Sequence, residues 1–488
     1  MKPLMKTFSC LGAAGFFLLL QGCASLRREP LPSSEPPLPA GYPSSGASSG
    51  GALAGWREYY KDPDLVSLIS TALDNNQELS ILMQEIAVSK SEVKARKGAI
   101  FPFLTLGGGA GLDKVGRFTR DGAVEENRAN EIKDGRAIPS PTPNFGFSAD
   151  FDWEVDIWRK LRNERDAAIK RYLATQEGRN FMVTHIVSEI AGSYYELMAL
   201  DNQLSILKRT IEIQQNALKA VKLQKSAAKV TELAVRRFEA EVLKNQSRQF
   251  AIQQQITETE NRLNYLAGRY PQPVRRNSVG FDKQMLPAIQ AGLPAQLLRN
   301  RPDVRQAEME MAASGLEMKA AAARFYPSLN ISAALGLQSF TLSSMFRTPE
   351  SMIYGVAANM AAPLINRSAI QAAYNGASAR QVAAIYKYQQ TVLKAYVEVV
   401  NQLALIRNLG QGYEYKSRQV QAMADSITLA GQLFNSARAD YTEVLFTQRD
   451  ALESRVDLIE MKQQQLSAYV KAYKALGGGS SATLAGLP

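Results

Sequence analysis

The sequence predicts a mainly α-helical protein that contributes to a transmembrane β-barrel, built by duplicating one helix–hairpin–long-helix-pair unit. Three observations lead there. The chain matches itself at an offset of 225 residues: Glu78 falls on Asp303, Glu85 on Glu310, Glu92 on Glu317, Lys94 on Lys319, and Phe101-Pro102 on Tyr326-Pro327. Each half holds two segments of about ten residues that alternate apolar and polar. Each half also holds helical stretches with an apolar residue at every seventh position.

In chain order, Lys2 and Lys6 precede an apolar run ending at Leu20, so residues 1–22 read as a signal peptide. Leu20-Gln21-Gly22-Cys23 is similar to the bacterial lipobox, whose cysteine is acylated and becomes the first residue. A covalent lipid on Cys23 is therefore expected, against the alternative of a plain signal peptide with an incidental cysteine. Ser25 stands where aspartate would resemble an inner-membrane retention signal, which favours an outer-membrane destination. Cys10 leaves with the signal, and losing Lys2 and Lys6 lowers the formal charge from +11 to +9. Residues 24–55 hold six Pro, five Gly and seven Ser. Residues 23–55 thus read as anchor and tether, with folding from near Trp56.

The first repeat spans about 56–270. Its opening helix, about 64–98, is ended by Pro102. Two strands follow, about 103–113 and 144–156. In the second, Phe145, Phe147, Ala149, Phe151, Trp153 and Val155 alternate with Gly146, Ser148, Asp150, Asp152, Glu154 and Asp156. An ordinary two-layer sheet packed on helices would show the same period. The carboxylates on one face suit a wet lumen, and Trp153 and Trp158 suit a membrane-interface belt. Four strands per chain cannot close a barrel, since about eight are needed, so the barrel reading requires an oligomer. The polar loop 113–143 is long; its counterpart, about 338–351, is short, and the repeat offset falls to 209 beyond it (Ala228 to Ala437). Long helices then cover about 159–267, with Val183, Ile190, Leu197, Leu204, Ile211 and Leu218 in heptad register. A 65-residue helix is about 100 Å long, a rod rather than a domain element.

An equatorial linker (271–291) leads to the second repeat (292–476). It comprises a helix at about 292–324, strands at about 328–338 and 352–362, and long helices over about 366–475; a flexible tail (477–488) ends the chain. One histidine and two cysteines exclude zinc, iron–sulfur and Cys/His catalytic sites. His185, one turn from Phe181, reads as a packed residue. No nucleophile–base pair, metal spacing or phosphate loop is present, so no enzyme and no metal site is expected. Past the N-terminus no 18-residue apolar run occurs, which excludes helical spans. The basic balance could suggest nucleic acid, but the chain has no aromatic–basic reading module and its leader directs it out of the cytoplasm.

Two segments carry a family resemblance: Leu298-Arg299-Asn300-Arg301-Pro302-Asp303-Val304-Arg305-Gln306-Ala307-Glu308 with Ala321-Ala322-Ala323-Arg324-Phe325-Tyr326-Pro327, and Asp152-Trp153-Glu154-Val155-Asp156-Ile157-Trp158. Together with the duplication and the lipobox they resemble the outer membrane factor family. These are TolC-like exit ducts of tripartite pumps, here in the lipoprotein form that serves RND transporters in drug or metal efflux. The resemblance covers roughly Asp62 to Leu476. It implies a homotrimer with a twelve-stranded barrel in outer-membrane lipid and a twelve-helix periplasmic tunnel, passive conduction, a periplasmic adaptor (membrane fusion protein) and an inner-membrane RND transporter. A type I protein-secretion duct is the alternative on the same fold.

The resemblance further implies adaptor docking at the helix–helix turns, around Ala228-Lys229 and Ala437-Arg438. Both alanines align with positions that are usually glycine, and alanine is poorer in a left-handed conformation. It also implies a gate just beyond, at Thr442, Glu443 and Phe446, where Phe446 stands in place of a common second acid. Three copies of Glu443 would ring the constriction and three of Phe446 would form an apolar plug.

Overall fold

Pro63 at the first helical position and Asp62, whose carboxylate accepts from the backbone N–H groups of Asp64 and Leu65, start the first long helical stretch. The computed structural model describes residues 31–33, 38–42, 55–127, 131–132, 136–137, 139–284, 294–295, 300–363, 367–436 and 438–478. Its elements are α1 (Trp56–Tyr59), α2 (Pro63–Asn75), α3 (Gln77–Gly98), β1 (Phe103–Asp113), α4 (Arg120–Asn127), β2 (Glu131–Ile132), β3 (Arg136–Ala137), β4 (Thr142–Val155), α5 (Lys160–Ser226) and α6 (Glu232–Leu266). After a 3-10 turn (Phe281–Lys283) come α7 (Pro302–Ala323), β5 (Ser328–Ser339), β6 (Met352–Ala361), α8 (Ser368–Asn435) and α9 (Tyr441–Ala475).

The duplication is preserved in these boundaries. α3 maps onto α7 by the 225-residue offset (Gln77 to Pro302), and α6 maps onto α9 by 209 (Glu232 to Tyr441). At 67 and 68 residues, α5 and α8 are each about 100 Å long. They owe that length to packing rather than propensity: Val183, Ile190, Leu197 and Ile211 are all buried in the seam. Full burial of such a side chain is worth about 1.5–3 kcal/mol. The main core gathers Trp56, Leu65, Ile69, Ile190, Tyr194, Leu197, Leu263 and Tyr473, joining the opening helices to α5, α6 and α9.

The expected continuous helix over 64–98 is corrected. Asn76 adopts extended backbone between α2 and α3, where its side chain accepts from Leu79 N and donates to Leu266 O across 190 residues. Arg301 takes the equivalent place in the second repeat and donates to Ala475 O, while pairing with Asp303 and Glu398. Each helix break thus sits on the C-terminal carbonyls of a returning helix. Those returning helices end in left-handed glycines, Gly268 (φ +64°) and Gly477 (φ +99°), with Arg269 N bonded to Asn264 O and Gly478 N to Tyr473 O. The opening helix of the second repeat, expected from about 292, is continuous from Pro302.

A second correction concerns the tether. Residues 31–33 and 38–42 lie along α8: Gln389 donates to Ser33 O, Leu38 packs with Val304, Tyr388 and Val392, and Tyr42 stacks on Tyr396 at 5.5 Å. Tyr42 is 4% exposed, covering Val399, Ala475 and Leu476.

The linker after α6 is likewise packed. Arg276 forms a bidentate pair with Asp201 of α5 (2.6 and 2.9 Å) and a further one with Glu260 of α6. Beyond it, Tyr413 of α8 donates to Asp282 O and Lys462 of α9 to Gln284 O. This strap crosses from the first helix pair to the second.

Candidate functional site

The sheet has the order β1-β4-β5-β6, antiparallel throughout, so the two hairpins join through β4 and β5. Pairing places Leu104, Leu106 and Leu112 on one face with Phe147, Phe151, Leu335, Leu337, Tyr354, Val356 and Met360. The other face carries Thr105, Asn144, Ser148, Asp150, Asp152, Asn330, Ser332 and Asn359 among Gly and Ala, with Phe103 and Ile353 as its large apolar exceptions. There Ser148 donates to Asp150 Oδ2 at 2.8 Å and Gln338 to Asn144 Oδ1 at 2.8 Å. Among the described residues no helix packs extensively on either face, which removes the two-layer alternative. Every residue of β1 and β6 is exposed, so both edges of the sheet stand open.

Where the sheet meets the rods, β4 ends at Val155 rather than 156. Asp156 therefore leaves the polar face on which the alternation had put it. Its carboxylate accepts from Leu161 N (3.0 Å), Arg162 N (2.9 Å) and Arg162 Nε (3.0 Å), capping α5 while Arg159 makes the left-handed turn at φ 60°. Burial raises the Asp156 pKa, but the hydrogen bonds and charge of Arg162 and the Leu161 N–H outweigh it, and the net shift is downward. Trp153 donates to Ile100 O (3.0 Å) and Trp158 to Pro327 O (2.7 Å), with Trp158 stacked on Tyr326 at 4.8 Å. Both indoles thus lie at the sheet-to-helix junction, tied to the loops that end α3 and α7.

At the far end of the rods, Ala228 has φ 55°, the left-handed conformation that the sequence disfavours there. Ala228 N bonds to Lys225 O and Lys229 N to Gln224 O, a Schellman closure with alanine in the place of glycine. Arg438 N bonds to Leu433 O in the matching position of the second turn; Ala437 lies outside the described residues, as does Cys23. Thr442, Glu443 and Phe446 fall in the first two turns of α9, capped by Asp440. Val444 and Leu445 of the same segment are buried, whereas Glu443 is exposed and Phe446 is 52% exposed with Arg449 5.0 Å from its ring. The structure therefore brings Ala228, Lys229, Arg438, Thr442, Glu443 and Phe446 to one end of the molecule, opposite the sheet.

His185 packs against Phe181, and its Nδ1 lies 2.9 Å from Lys474 Nζ; burial first and Lys474 second lower its pKa. Among the described residues no group of His, Cys, Asp or Glu is arranged to hold a metal. No described helix is long and apolar enough to cross a membrane. The sequence reading missed the Arg276 strap and the Arg301 cap; Arg301 lay inside a quoted motif, but Arg276 carried no local signal.

An open-edged sheet with a lipid-compatible face and a polar face, set on helical rods, defines one share of a membrane-spanning duct. The chain belongs to the outer membrane efflux protein family, whose profile matches residues 68–269 and 293–478. The solvent efflux pump outer membrane protein SrpC of Pseudomonas putida is 26% identical over 479 residues, 95% of this chain and 97% of that protein. The cation efflux system protein CusC of Escherichia coli K12 is 26% identical over 426 residues, covering 87% and 89%. In fold, the chain is similar to the open-state Neisseria gonorrhoeae MtrE outer membrane channel, with TM-score 0.80, 22% identity and coverage of 94% and 98%. The protein is an efflux exit duct of the outer membrane, with a large periplasmic portion.

Proposed function

We propose that three copies of this chain form the duct, and that it conducts passively, without enzymatic chemistry. Cargo arrives from an inner-membrane RND transporter through a periplasmic adaptor that docks at the tips around Ala228-Lys229 and Ala437-Arg438. Cys23 carries the lipid anchor, and Thr442, Glu443 and Phe446 form the gate. The relatives named for solvent and cation efflux favour small molecules or metal ions as cargo over secreted protein.

The observation that carries this reading is the pair of open sheet edges. Four strands leave the outward-pointing half of the backbone N–H and C=O groups of β1 and β6 unpaired, which hydrocarbon does not tolerate. The internal repeat supplies the missing register. Phe103↔Asp152 in the first hairpin maps onto Ser328↔Ala361 in the second, so the two offsets hold through the strands. The junction pair Ala149↔Leu335 then maps onto Ala358 of one protomer against Ala110 of the next. With Cys10 and Cys23 kept unreactive, the double variant Ala110→Cys/Ala358→Cys is expected to oxidise to a covalent trimer. Ala110→Cys/Val356→Cys, two residues out of register, is expected to stay monomeric on denaturing gels. Equal cross-linking of both pairs, or of neither, would remove this assembly.

The gate has its own test. Phe446→Ala with Glu443→Ala takes away the apolar plug and the acidic ring together, so conductance in planar bilayers is expected to rise severalfold. Unchanged closed-state conductance would exclude these residues from the constriction.

A further inference from the structure

The two rod ends share a fold and differ in charge. Residues 216–237, around the first turn, hold six Lys and Arg against one Glu; the matching window 425–446 holds one Arg against two Asp and one Glu. Lys219, Lys222 and Lys225 stand where the second repeat has Thr428, Gly431 and Phe434. All six cations of the first turn are exposed. Lys225 and Arg236 share Glu232, whereas Lys219, Lys222 and Lys229 enter none of the ion pairs found among the described residues.

The helix dipole does not account for them. Its favourable effect on cations is confined to the last turn, which covers Lys225 but neither Lys219 nor Lys222. α8 supplies an internal control, because it is one residue longer than α5, closes through the same Schellman bond at Arg438 N, and has no Lys or Arg in its last four turns. Lys219, Lys222 and Lys225 repel one another at i,i+3 spacing, so the stripe opposes the local fold. Beside it, Leu223 and Leu233 are 72% and 57% exposed, an apolar contact set within a basic rim.

We infer that the α5–α6 turn is the primary docking site and receives an acidic surface of the adaptor, while the α8–α9 turn is a weaker, secondary one. This rests on the duct reading above. In a trimer the six tips then alternate, three basic and three weakly acidic. An adaptor with one kind of hairpin end meets two kinds of site, and charge complementarity selects the first and steers the encounter.

The test uses the full-length trimer in detergent and the purified periplasmic adaptor of its own pump, the one whose deletion abolishes efflux through this chain. Titration is expected to resolve two classes of site, with three tight sites per trimer that weaken at least tenfold between 50 and about 500 mM salt. The variant with Lys219, Lys222, Lys225 and Lys229 all changed to Gln is expected to lose the tight class at least tenfold while remaining trimeric. The variant with the same four changed to Arg is expected to retain it. Six equal sites, or a Gln variant that binds as tightly as wild type, would overturn the inference and leave the duct reading standing. Wild-type trimer that binds no adaptor at all would overturn the duct reading itself.

Discussion

Replacing Gly268 by alanine is expected to destabilise the protein by roughly 2–4 kcal/mol, the sum of a left-handed backbone cost and an overpacking cost. A β-carbon there would stand 2.2 Å from the carbonyl oxygen of Asn75, backbone that cannot rotate aside. To make room, the end of α6 must withdraw from the break between α2 and α3, pulling Leu266 O away from Asn76. A β-carbon at Gly477 would stand 2.5 Å from Asn300 O in the second repeat, so Gly477→Ala should behave alike. Ala228 provides the contrast. It already pays the left-handed cost in an exposed turn, so Ala228→Gly is expected to be neutral or stabilising by up to about 1 kcal/mol after the added freedom of the unfolded chain is counted. The thermal dissociation midpoint of the detergent-solubilised protein reads both. A Gly268→Ala protein as heat-stable as wild type would show that the helix junction is looser than described.

Asp156→Asn is expected to cost roughly 2–4 kcal/mol at neutral pH, because two backbone N–H groups and the Arg162 guanidinium lose a buried charged acceptor. The pH dependence follows from the sign of the shift. The folded pKa lies below the unfolded value, so the stabilisation is fully present above about pH 4 and is lost as pH falls through the folded pKa. Wild type and Asp156→Asn should therefore differ clearly at pH 7, with the gap narrowing progressively as pH falls below about 4. A gap in dissociation temperature that does not narrow at all below about pH 4 would show that shape, not charge, holds the turn.

Much of the architecture was legible because it is written in strong local periods. Alternation over ten residues placed β1 from 103 to 113, and the proline-free stretch from Arg159 placed α5 within one residue of its start, with heptads from Val183 onward marking it as a rod. What escaped depends on contacts distant in sequence. The expected helix over 64–98 passed over Asp74-Asn75-Asn76-Gln77-Glu78, which interrupts the apolar pattern; the chain breaks there, with Asn76 capping α3 and donating to Leu266 O, 190 residues away. Composition made residues 24–55 a solvated tether, yet Leu38 packs where α7 meets α8 and Tyr42 where α8 meets α9, surfaces that exist only once those helices are packed. The glycines at 268 and 477 mark helix ends by a rule readable in sequence, but Ala228 breaks that rule at an equivalent kind of turn. The gate and docking residues came from resemblance alone. Thr442, Glu443 and Phe446 form no period of their own, and an exposed aromatic on a helix has no signature in a single chain.

The strap through Arg276 has a mechanical meaning. It binds α5 and α6 at Asp201 and Glu260 to α8 and α9 at Tyr413 and Lys462, like a hoop around staves. Above the hoop the rods are also held by the sheet, so they have no freedom to splay. Below it, Asp201 to Ser226 spans roughly 38 Å at 1.5 Å per residue, and there the two helix pairs meet through side-chain clusters alone, Leu452 and Val456 against Leu207 and Ile211, and Leu445 against Val221 and Phe238. A tilt of about 10° about that fulcrum carries the tip roughly 6 Å sideways without breaking a single bond inside a helix. Any movement of the rod ends is thereby separated from the strands, which the strap leaves undisturbed.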